Sequence, residues 1–191
     1  CLSLSSKLSG TYQSACLAKD MVDYENIFII DTLTAAAGIR LLCEVAINWI
    51  GENRCVEDIV SGLEELKEHV HIYAGLDTLE YLAKGGRISK TAAAIGTLAS
   101  IKPIICVDHG GVVVAGKTRG VNKATSVVCE KMQSDIVDTL YPVYTLYSYG
   151  LENVEKLESK LDLDVNRVRI GSTIGVHIGP NAFGVCFVSK L

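Results

Sequence analysis

Ser9, Gly10 and Thr11 place two hydroxyls around a glycine, between an extended stretch (Leu2–Ser6) and the start of an amphipathic one. At a strand-to-helix junction the first backbone N–H groups of the helix lack internal partners, and the helix dipole favours a negative charge. Glycine lets a ligand approach the backbone, and the hydroxyls add donors. The segment is therefore a candidate anion site, although Ser9 or Thr11 also suits a plain helix cap. No histidine or acid is patterned beside them, so an activated serine nucleophile is not indicated.

Three segments with basic residues lie at turns. Gly85-Gly86-Arg87 stops a helix and leaves an arginine beyond it. Lys117-Thr118-Arg119-Gly120 sets two cations before a helix start, and His177-Ile178-Gly179-Pro180-Asn181 reads as a glycine-rich loop carrying a histidine. Each also fits an ordinary duty as a solvated turn. His69 and His71 share a strand face but have no third metal ligand, so no metal site is assigned.

Gly111–Thr118 matches the phosphate-binding pattern GxxxxGK[ST] letter for letter. Its four intervening residues, Val112-Val113-Val114-Ala115, are strong strand formers, whereas the pattern requires a loop curled around phosphates. The preceding Asp108-His109-Gly110 already supplies a turn. A nucleotide-dependent phosphotransferase built on 111–118 is kept only as the alternative function, with a pure interaction module as a third possibility.

The composition narrows the field further. The chain has 191 residues, 49% of them hydrophobic, enough to build a core. Its net charge is −4, which argues against a nucleic-acid or anionic-membrane binder, since both need a basic footprint. Aromatic residues make up 6%, too few for base-stacking platforms. The seven cysteines are scattered with no CxxC pair, so they read as free, mostly core residues in a reducing compartment, the cytoplasm. No apolar run reaches the length of about 18 residues that a membrane span needs. The chain does not open on Met, and Leu2–Ser6 reads as the end of a strand, so an upstream segment is expected.

Strand and helix patterns alternate in the first part. Helices are expected over 11–23, 33–50 and 56–68, a buried parallel strand over Ile27–Ile30, and a strand over 70–74. After Gly75 a helix capped by Asp77 is expected, then an Ala-rich helix over 90–99 and a hairpin of strands 103–107 and 111–116. A helix over 121–134, strands 143–148, 165–171 and 184–189, and a helix over 150–161 complete the pattern. The expected class is α/β, in two domains. Residues 1–75 form an incomplete parallel-sheet domain, and residues 76–191 an α+β domain with a mixed sheet.

The motifs in order resemble the DegV family of bacterial fatty-acid-binding proteins. The matching stretches are Ser5–Ala15, Asp77–Ser89, Ile101–Ile104, Lys117–Gly120 and Gly175–Pro180. The resemblance implies two α/β domains with a long-chain fatty acid buried between them and no catalytic activity. It implies that Ser9, with Gly10 and Thr11, holds the carboxylate. Arg87, Arg119 and His177 are then a head-group rim or a docking site for a partner, a fatty acid kinase that phosphorylates the carboxylate to an acyl phosphate. It further implies no cofactor besides the bound lipid, no metal, no membrane anchor and a monomer. The family's early Thr-Ser-x-Pro-Ser carboxylate motif is absent from this chain. Its usual His-Thr-Gly-Pro-Gly reads His177-Ile178-Gly179-Pro180-Asn181 here.

Overall fold

The computed structural model describes residues 1–89 and 100–190. The helix expected over 90–99 lies outside the described residues. The chain is α/β, with a two-stranded parallel sheet and a six-stranded mixed sheet.

The first part runs β1 (Leu2–Ser3), α1 (Thr11–Asp20), β2 (Ile30–Asp31), α2 (Ala37–Gly51) and α3 (Val56–Leu66). β1 and β2 pair in parallel, Leu2 opposite Ile30. The strand expected over Ile27–Ile30 is thus paired only at its end. α2 buries Ala37, Leu41, Leu42, Val45 and Ala46, and α3 buries Ile59, Leu63 and Leu66, each a stripe at helical spacing. α2 begins later than the expected 33–50, because Leu33 (φ 51°) and Ala36 (φ 47°) both take left-handed backbone.

The remaining elements are β3 (Val70–Gly75), α4 (Glu80–Lys84), β4 (Ile101–Asp108), β5 (Gly111–Arg119), α5 (Val121–Ser134), β6 (Tyr144–Tyr147), α6 (Glu152–Glu158), β7 (Asn166–Arg169), α7 (Ser172–Ile178) and β8 (Phe183–Val188). The sheet order is β5-β4-β3-β8-β6-β7. Within this sheet, among the described residues, only β6 and β7 pair in parallel. The strand expected over 70–74 therefore joins this sheet, antiparallel to both neighbours, and does not extend the parallel one.

β8 is buried along its whole length, because helices cover both faces of the sheet. Phe183, Val185 and Phe187 pack with Val128 and Met132 of α5 and Leu157 of α6. The alternate residues Cys186 and Val188 pack with Leu41, Leu42, Leu63 and Leu66 of α2 and α3. Tyr144 reaches from β6 to donate its hydroxyl to Glu44 on α2, whose carboxylate also pairs with Arg40 at 2.7 Å.

Several local expectations change. Gly111–Thr118 lies inside β5, with Lys117 opposite Pro103 of β4. A strand paired in this way offers no concave ring of free N–H groups for phosphates. Asp77 does not cap a helix. α4 starts three residues later, and the Asp77 carboxylate accepts from Lys102 at 2.6 Å and from Asn181 at 2.8 Å. Of the cysteines, Cys129 and Cys186 are buried, Cys1 and Cys55 are exposed, and all seven are free. Among the described residues, no helix is long and apolar enough to cross a membrane.

Candidate functional site

Ser5 organises the loop that carries Ser9. Its N–H donates to Thr34 O at 3.1 Å, and its carbonyl accepts the N–H groups of Leu8 (2.9 Å) and Ser9 (3.1 Å). Asp31 at the end of β2 accepts the N–H of Ser6 at 3.0 Å and that of Leu33 at 3.3 Å. Two turns are thereby pinned to one strand end, and Ser9 emerges in a fixed place. The Ser9 hydroxyl lies 2.8 Å from that of Thr11 and accepts the Thr11 N–H at 3.3 Å. The residue preceding α1 is Gly10, and no side chain caps the helix.

Ser9 faces a cavity of about 140 Å³. One wall is Leu4, Leu8, Ser9, Ala35 and Ala36. The floor is one face of the mixed sheet: Ile72, Ala74, Ile105, Val107, Val112 and Leu146. The far wall comes from α4, α7 and the segments beside them: Leu82, Ile170, Ile174 and Ile178, with Arg87, Thr173 and His177. The lining is aliphatic apart from Ser9, Arg87, Thr173 and His177.

Arg87 links the segment that carries Ser9 to the turn against which His177 packs. Arg87 Nε donates to Leu8 O at 3.1 Å, and Arg87 Nη1 donates to Gly85 O. The His177 ring occupies the space where a side chain on residue 85 would stand, so glycine is required there for close approach. His177 Nδ1 is buried with no hydrogen-bond partner among the described residues. Thr173 stands one turn before His177 on the same face of α7.

The glycine-rich pattern predicts a loop around His177, but the residue sits in α7. Gly171, Gly175 and Gly179 disguise this helix in the sequence, whereas Ile174 and Ile178, four apart, bury its inner face. Asn181 takes φ 58°. This is a left-handed position, where asparagine is the best tolerated residue after glycine, and its side-chain amide donates to Asp77. The departure at residue 181 therefore keeps the turn.

The structure brings Ser9, Arg87 and His177 to one cavity. Gly10 and Thr11 are exposed beside it, at the start of α1. Arg119 is exposed at the end of β5, opposite Ile101, and is not among the lining residues. Nothing in the sequence pattern points to Thr173 at the site or to the brace from Ser5. Ser5 donates to Gly110 O, 105 residues away, and no local pattern signals that contact.

A family model described as "Uncharacterised protein, DegV family" matches residues 1–190. A DegV domain-containing protein of Clostridium acetobutylicum is 35% identical over 193 residues, covering 100% of this chain and 69% of that one. A DegV family protein from Thermus thermophilus, whose structure was described for its fatty acid binding, superposes with a TM-score of 0.86 at 30% identity, over 99% of this chain and 70% of that one. A stearic-acid-binding protein from Eubacterium ventriosum superposes with a TM-score of 0.84 at 28% identity, over 100% of this chain and 70% of that one.

Proposed function

The chain belongs to the DegV family, and on that premise we propose that it binds a long-chain fatty acid with the tail in the cavity and the carboxylate at Ser9. The observation that carries this reading is an aliphatic cavity in which Ser9, Arg87, Thr173 and His177 supply the polar groups. Burying about 14 methylenes at ~0.8 kcal/mol each is worth on the order of 11 kcal/mol. Desolvating a carboxylate costs several kcal/mol unless donors replace its water. The tail therefore supplies most of the affinity, and the Ser9 hydroxyl with the N–H groups beside Gly10 and Thr11 sets the direction of entry.

The protein acts as a carrier rather than an enzyme. It presents the lipid to a fatty acid kinase in the cytoplasm, which converts the carboxylate to an acyl phosphate. Arg119, exposed on the edge strand, suits attraction of an anionic partner surface. Arg87 and His177 line the cavity, so they stand at its head-group rim and not on the docking surface. Arg119→Ala should leave lipid affinity within about threefold, under 1 kcal/mol, and should lower kinase turnover on the bound lipid.

Titration of the delipidated chain with octadecanoic acid, and separately with ATP, tests this function. Saturable binding of the acid supports it. Binding of ATP that Lys117→Ala abolishes, with none of the acid, overturns it.

A further inference from the structure

We infer that Arg87 is a positioning residue for Ser9: it clamps the peptide unit between Leu8 and Ser9, and so aims the Ser9 hydroxyl at the ligand's head group. The inference rests on the fatty-acid reading for its ligand but not for its geometry.

The Leu8 carbonyl and the Ser9 N–H are the two ends of one planar unit. The carbonyl accepts from Arg87 Nε at 3.1 Å, and the N–H donates to Ser5 O at 3.1 Å. Held at both ends, the unit is restrained from rotating, and the Cα of Ser9 is restrained with it. The other arm of the guanidinium donates to Gly85 O. Gly85 is itself placed by the His177 ring packed against it. Arg87 thus joins the loop that carries Ser9 to the turn after α4, across the cavity edge. A planar fork with donors at fixed angles suits two carbonyls from two segments, and an ammonium does not. Two Arg87 donors already point at protein carbonyls, so its influence on the ligand passes through Leu8 and Ser9. A binding group loses effect when its supporting contacts are left loose.

Amide hydrogen exchange at the Ser9 N–H in the ligand-free chain tests the clamp without any ligand. Arg87→Ala and Arg87→Lys should each speed it by about tenfold, the scale expected for a lost hydrogen bond of ordinary strength. Unchanged exchange in both variants overturns the inference, whatever the chain binds.

The link to Ser9 is tested by a double-mutant cycle read as the preference for hexadecanoic acid over its methyl ester. In the unmodified background Arg87→Ala and Arg87→Lys should cut that preference about tenfold, again one hydrogen bond's worth. In a Ser9→Ala background the same changes should alter it by less than about twofold. Equal losses in both backgrounds mean that Arg87 acts on the carboxylate directly, and no loss in either means that it is a free surface cation. Both results overturn the inference. An unmodified chain that binds neither compound overturns the functional reading instead, and the exchange measurement then decides the clamp alone.

Discussion

The Ser5 hydroxyl donates to the Gly110 carbonyl at 2.7 Å, joining the loop that carries Ser9 to the tip of the β4–β5 hairpin. Ser5 is fully buried and Gly110 is buried with it, so water cannot replace the bond. Gly110 adopts φ 83°, and Ser5 and Leu33 fill the space beside its Cα. The cavity wall and part of the cavity floor meet at this contact.

Ser5→Ala should therefore destabilise the chain by about 1–3 kcal/mol, the cost of leaving a buried carbonyl unpaired. Urea denaturation of the two forms measures it. An unchanged midpoint would mean that the hairpin tip is held by other contacts.

Ser9→Ala should weaken binding of a long-chain fatty acid by roughly 1.5–3 kcal/mol, the range for hydrogen bonds to charged groups. Binding of the matching methyl ester should barely change. Titration calorimetry with both compounds checks this, and equal losses for the two would mean that Ser9 only supports the loop.

Ala36 carries a side chain at φ 47° and ψ −118°, a conformation that glycine adopts at no steric cost. Strain of this kind costs on the order of 1–3 kcal/mol. Ala36→Gly should raise the melting temperature by about 2–4 °C, as expected for relief of 1 kcal/mol in a domain of this size. A lowered melting temperature would show that the Ala36 methyl, on the cavity wall, contributes more by packing than it costs in strain.

Acid should lower the stability of the fold over two pH windows. Burial holds His71 below its usual 6.5, against the opposing pull of Asp135. The folded form then binds fewer protons than the unfolded one, and stability falls as the pH drops below about 6.5. Three carboxylates respond lower down. Hydrogen bonding to Arg167 holds Glu158 below its usual 4.5. Burial pushes Glu44 and Asp77 up, but hydrogen bonds from Tyr144 and Arg40 to Glu44, and from Lys102 and Asn181 to Asp77, outweigh it and leave both lowered. Their contribution is fully present above the usual carboxylate range, starts to fall within it and is lost as the pH drops on through their lowered values. Urea midpoints at pH 7.5, 5.5 and 4 should fall in that order. His71→Gln should flatten the first interval and leave the second.

The sequence displays its larger elements through periodicity. α5, over Val121–Ser134, and the β4–β5 hairpin turning at His109-Gly110 stand where spacing and turn residues put them. The motifs also announce Ser9, Arg87 and His177, which the fold gathers at one cavity. What the sequence hides is long-range. Ser5 finds Gly110 only after the sheet forms, and Asp77, which reads as a helix cap, is claimed by Lys102 and Asn181. α7 escapes notice because its glycines and β-branched residues carry low helix propensity, and its form comes from packing Ile174 and Ile178 with Leu79 and Leu82.

The most direct test of the carrier function is native mass spectrometry of the chain as purified from a bacterial host. The expected spectrum shows the chain carrying one long-chain fatty acid, released as the free acid when the protein is unfolded, with occupancy reduced in Ser9→Ala. A chain that flies without lipid, and still takes up none when mixed with hexadecanoic acid, would contradict the account.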